Sequence, residues 1–196
     1  MDELIGSLRR FIARDVIFIV GGSAVVLSFC YAFDHLWILD MPRPLYLVAA
    51  GFAYVLGYVV QDLAALSGLV TTAHFFKPGR TLKRIYRVYT RHDWTEIAPF
   101  DGEAAWLRLE RAAAKGEVPE ASFVRLERVV ALRQVGTTLG PCCLLSSAFL
   151  LYRGFKFLDP FDIALAVGVL VLGLVLIALA WLKGAQQVEL TQRLGS

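Results

Sequence analysis

Residues 161–182 read FDIALAVGVLVLGLVLIALAWL, a run in which Asp162 is the one charged residue. A helix needs about 20 mostly apolar residues to cross a bilayer, and this run supplies them. Three more, at 16–38, 45–66 and 135–152, approach the same length with polar sequence between and beyond them. The pattern predicts an all-α integral membrane protein with four transmembrane helices and a cytoplasmic helical hairpin between spans two and three. Composition points the same way: 57% of the 196 residues are hydrophobic and 19% charged, against roughly 45–50% and about 25% in soluble domains. Disordered, collagenous, coiled-coil and disulfide-scaffold classes are excluded on that balance. Cys30, Cys142 and Cys143 all fall inside predicted spans, so no extracellular disulfide framework is expected. The first span is long and no A-x-A-like site follows it, so a retained N-terminus is expected.

The basic residues orient the spans. Arg9, Arg10 and Arg14 precede the first, twelve Lys and Arg lie between Lys77 and Arg133, and Lys183 and Arg193 follow the last. Arg43, Arg153 and Lys156 alone stand in the two short hairpin loops. By the positive-inside rule this places both termini and the middle segment in the cytoplasm. Three segments follow: 1–76, an N-terminal stretch and the first transmembrane hairpin; 77–133, a cytoplasmic amphipathic helix and helical hairpin; and 134–196, the second transmembrane hairpin and a short cytoplasmic tail.

Within the middle segment the spacing predicts a helix over 80–91. Arg80, Arg84, Arg87 and Arg91 lie on one face and Leu82, Ile85, Tyr86 and Tyr89 on the other, an arrangement suited to the anionic inner surface of a bilayer. Beyond it, residues 103–114, EAAWLRLERAAA, recur 17 residues later as 120–131, EASFVRLERVVA, with seven of twelve positions identical. Each copy carries an apolar stripe at helical spacing: Trp106, Leu109 and Ala113 in the first, Phe123, Leu126 and Val130 in the second. Asp101 is the expected N-cap, Gly116 the stop, and Pro119 the first residue of the next helix. Neither helix is long enough to be stable alone, so the stripes must bury against each other, against 80–91, or against another chain. Trp106, Arg108, Arg111, Phe123, Arg125 and Arg128 are the candidate partner-binding residues. No aromatic platform or glycine-rich loop accompanies the arginines, so no nucleic acid is expected as a partner of this chain.

Inside the spans, small residues recur at four-residue intervals: Ala24, Ser28 and Ala32; Ala49, Ala53 and Gly57; Gly136 and Gly140. Such stripes let helix backbones approach closely where no hydrophobic effect drives association. Three of them in four short spans predict that at least one packs between subunits of a homo-oligomer. Pro141 makes span three the candidate bending or gating element. Gln61 and Asp62 are expected near the inner headgroups, as caps or as partners of a base such as Arg84. Asp34 and His35 are expected as solvated groups at the outer end of span one. His35 and His74 lie at opposite ends of the bilayer, which excludes a bis-histidine haem within one subunit, and no cofactor is expected. Arg91-His92-Asp93 with Glu96 matches no catalytic spacing, so the chain is read as non-enzymatic.

This organisation resembles that of the small four-span membrane subunits of bacterial two-component systems, anti-phage systems such as Kiwa among them. The resemblance implies a membrane protein that anchors or senses and recruits a soluble cytoplasmic partner. Two other readings stand beside it. One is a small oligomeric channel or transporter with Thr137, Thr138, Ser146 and Ser147 lining its path. The other rests on Cys142 and Cys143, a vicinal pair similar to that of small bacterial mercury importers, and implies a soft-metal importer.

Overall fold

In the computed structural model, residues 2–36, 42, 45–70, 108–109, 111–113 and 115–195 are described. Four helices follow in chain order: α1 (Asp2–Ala32), α2 (Leu45–Leu66), α3 (Glu120–Phe157) and α4 (Pro160–Gly195). Among the described residues there is no strand. Each helix contains a stretch long and apolar enough to cross a membrane, the defining feature of a multi-pass membrane protein. The 80–91 segment, with Arg80, Arg84, Arg87 and Arg91, lies outside the described residues, as do Asp101 and Trp106.

The helix ends follow from local chemistry. Past α2, the Leu69 N–H bonds the Ala64 carbonyl and the Gly68 N–H bonds that of Ala65, with Gly68 at φ +74°. This is the Schellman cap, in which a left-handed residue satisfies the last helical carbonyls. Gly116 repeats it after the 108–113 segment, where the Glu117 N–H reaches Ala112 and the Gly116 N–H reaches Ala113. Past α1 and α3 the left-handed position is held by Asp34 (φ 60°) and Leu158 (φ 54°), side chains that rarely adopt it. α4 opens on Asp159-Pro160-Phe161: the Asp159 carboxylate accepts the Phe161 N–H at 2.9 Å, an N-cap ahead of a proline whose fixed φ suits the first helical position.

Two helices run on past their apolar stretches, α3 joining the second copy of the duplicated sequence to the third span and α4 extending beyond the fourth. α3 passes through Gly136, Gly140 and Pro141 without a break, because a proline costs one backbone bond and neighbouring helices hold the rest of the ladder in place. Residues 183–195, expected as a tail, continue α4 as helix, with Ala185 and Val188 buried and Leu190 and Leu194 half-buried.

The chain divides into two compact units, Met1–Leu69 with Val135–Ile177, and Val70–Gln134 with Ala178–Ser196. In the first, α1 and α2 meet through glycine. A Cβ on Gly22 would overlap the Ala53 carbonyl, and one on Gly57 would overlap that of Phe18. α3 and α4 also approach through glycine, less closely: a Cβ on Gly140 would lie 3.2 Å from the Gly173 oxygen, and one on Gly173 3.0 Å from the Gly140 oxygen. Val25, Val60 and Cys142 form the core between these seams, with Leu56, Leu145 and Phe149 packed on it. Half of the apolar stretch of α3 is buried, against 22% in both α2 and α4, so α3 is the central helix.

In the second unit, Leu109, Val118 and Leu126 form the core, with Ala112, Ala113, Phe123, Leu190 and Leu194 packed against it. Leu109 and Leu126 occupy equivalent positions of the duplicated sequence, and both are almost fully buried, at 1% and 0% exposure. The α4 extension packs on this cluster through Leu190 and Leu194, spaced one turn apart on one face. On the same extension Gln187 accepts a bond from Arg133 at 2.8 Å.

Candidate functional site

The arginines of the duplicated sequence stand outward. Arg108, Arg111, Arg125 and Arg128 are all exposed, together with Lys115, whereas Phe123 is half-buried against the leucine cluster. Helical geometry explains the sorting. At about 100° per residue, the two arginines of each Arg-Leu-Glu-Arg copy fall about 60° apart, on the side away from the buried leucine. Two exposed apolar residues that sequence reading did not single out join them on α3, Val124 and Leu132, each 47% exposed. The motif named the arginines; the neighbouring apolar residues were recognisable only once the buried side of the helix was known.

A second polar cluster lies in the first unit, where α1 ends beside the turn between α3 and α4. Asp162 is in the first turn of α4 and 1% exposed. Its carboxylate accepts the Tyr31 hydroxyl at 2.9 Å and faces the Arg153 Nε at 3.3 Å, while the helix N-terminus adds favourable partial charge. The same guanidinium donates to the Asp34 carboxylate and to the Tyr31 carbonyl, both at 2.5 Å, and stacks over the Tyr31 ring at 4.1 Å. One cation thus joins the carboxylate of the turn after α1, the carboxylate in the first turn of α4 and one of the carbonyls exposed at the end of α1. Asp34, beyond the end of α1, has its carboxyl held below the usual range, chiefly by its bond to Arg153. Asp34 is solvent-exposed, as expected, and is in addition bonded to Arg153. The sequence reading used Arg153 only for its sign; the available signal was a basic and an acidic residue on either side of one tight turn.

The remaining candidates are dispersed. Thr137, Thr138, Ser146 and Ser147 are all buried, and at about 100° per residue they point in four directions around α3. Thr138 donates to Gln61 of α2 at 3.0 Å, and Ser147 to the Leu144 carbonyl of its own helix. Cys142 and Cys143 diverge: a Cβ on Gly21 of α1 would lie 3.0 Å from the Cys142 sulfur, while one on Gly173 of α4 would lie 3.1 Å from the Cys143 Cβ. Among the described residues no group of three or more His, Cys, Asp or Glu could hold a metal ion. Ala53, Gly57 and Gly140 stand in the close helix crossings. Gly136 and Pro141 are buried, and Ala49 is exposed.

No protein-family model, curated protein or solved structure matches the chain.

Proposed function

We propose that this chain is a non-enzymatic, multi-pass protein of the bacterial inner membrane that self-associates and recruits a soluble cytoplasmic partner through its helical hairpin. Both termini and the hairpin face the cytoplasm in this reading, following the distribution of Lys and Arg. The setting it fits is a two-component defence or stress system, in which the membrane subunit anchors or senses and the soluble subunit acts.

The observation that carries the reading is the division of the duplicated helices into a closed and an open side. Their leucines and Phe123 pack with Leu190 and Leu194 of the same chain, while Arg108, Arg111, Arg125 and Arg128 remain outside. Burial fixes the backbone that displays the arginines, and arginine is enriched at protein interfaces. Self-association is supported by Gly51 and Gly168, each with open space where a side chain would stand. These positions admit close approach of a neighbouring helix.

The test is purification of the full chain in mild detergent from its native host, with subunit stoichiometry measured and co-purifying proteins quantified. A soluble partner present with the wild type and lost from the fourfold Arg108→Glu, Arg111→Glu, Arg125→Glu, Arg128→Glu variant is the expected result. No partner, or a partner equally abundant on that variant, overturns the reading.

A further inference from the structure

We infer that the exposed face of α3 formed by Val124, Arg125, Arg128 and Leu132 docks an acidic amphipathic helix of the soluble partner, with carboxylates one turn apart seated on the two arginines. The inference rests on the recruitment reading and assigns it a location and a ligand chemistry.

Val124, Arg128 and Leu132 stand at four-residue intervals, with Arg125 beside them. The stripe therefore runs straight along the helix for about 12 Å, with an apolar residue at each end and two guanidinium groups between. Val124 and Leu132 are the exposed large hydrophobics of the 120–134 stretch. Glu127, between the arginines in sequence, projects at least about 100° from both and is half-buried, so it leaves the face cationic. Across the hairpin, exposed Arg108 and Arg111 add the same charge in the duplicated motif.

Three features select the occupant. Guanidinium groups bind carboxylates bidentately and with defined geometry, which favours an acidic partner. Their i, i+3 spacing matches that of side chains on one face of a helix. A membrane surface fits less well, because a helix on lipid buries a continuous apolar sector with bases along its margins. Here the apolar sector, Leu126 and Val129 with half-buried Phe123 and Val130, is turned inward, with Leu126 and Phe123 covered by this chain's own Leu109, Leu190 and Leu194, while Arg128 stands in the middle of the exposed sector and Arg125 at its edge.

The experiment places a photo-reactive residue, Leu132→p-benzoylphenylalanine or Val124→p-benzoylphenylalanine, in the full chain in host membranes and maps the adduct by mass spectrometry. The expected adduct is a soluble-protein segment with two carboxylates one turn apart. Its yield should fall at least tenfold with Arg125→Glu and Arg128→Glu, and recover when the mapped carboxylates are changed to arginine. An adduct to lipid, to a second copy of this chain or to a segment without carboxylates overturns the inference, as does a yield indifferent to charge reversal. If a soluble protein still co-purifies but cross-links elsewhere, the docking face is wrong and recruitment stands. If no soluble protein is captured by either method, both fall.

Discussion

Asp34 and Leu158 hold the same left-handed backbone for opposite returns. Asp34 presents its carboxylate to Arg153, whereas the Leu158 side chain is 82% exposed and buries almost nothing. Left-handed backbone costs a non-glycine residue of order 1 kcal/mol or more. Leu158→Gly should therefore stabilise the protein by up to about 1 kcal/mol, read as a higher unfolding midpoint in detergent. Asp34→Gly gains the same relief but loses the Arg153 bond, so its midpoint should fall below that of Leu158→Gly. The pair also has a pH signature. A carboxyl whose folded pKa is depressed contributes stability above its unfolded value of about 3.9, and that contribution disappears as pH falls through the lower folded value. The midpoint difference between wild type and Asp34→Asn should accordingly be constant near neutrality and vanish under strong acid. A difference that persists there would show that Asp34 acts through backbone conformation and not through charge.

At the level of elements, the positions of the spans were legible because bilayer thickness imposes a length that composition reveals. The seams were legible only in part. A stripe of small residues shows that close approach is possible, and Ala53 and Gly57 do lie in the α1–α2 crossing, but their counterpart on α1 is Gly22 and not the Ala24 stripe. Which side of a helix meets a neighbour depends on the neighbour, which local spacing does not contain. Two glycines of α2 make the distinction measurable. Gly57→Ala forces a methyl group into a backbone carbonyl and should cost about 1–3 kcal/mol. Gly51→Ala meets open space and should be neutral or gain up to about 1 kcal/mol from helix propensity. Equal effects in a detergent unfolding titration would remove the seam from this account.

For the whole molecule, the sequence separated apolar from charged regions and found the duplicated helix, yet it assigned the C-terminal residues to a tail. Their role depends on a contact between Leu190 and Leu194 and a cluster some seventy residues earlier in the chain, and no local pattern encodes that pairing. The α4 extension is thus part of the packing around Leu109, Val118 and Leu126. Leu190→Ala combined with Leu194→Ala should destabilise the second unit by roughly 2 kcal/mol per leucine and speed tryptic cleavage at Arg111 and Arg125. Unchanged cleavage would mean that the hairpin is closed without α4. The arginine face was legible as a motif, while its apolar members required knowledge of which side is buried.

The shared cluster of Leu109 and Leu126 bears on the history of the duplicated sequence. A contact between equivalent positions has the logic of an isologous interface, in which each residue is also part of its twin's environment. A change at one leucine therefore alters the pocket of the other, and the copies are not free to drift separately there. Where equivalent residues differ, as Ala112 and Val129 do, the surroundings differ too: Ala112 packs on the shared cluster and Val129 is buried outside it. Among the matching positions, Leu109 and Leu126 are tied by this shared cluster, whereas Arg108, Arg111, Arg125 and Arg128 are exposed and free of that constraint.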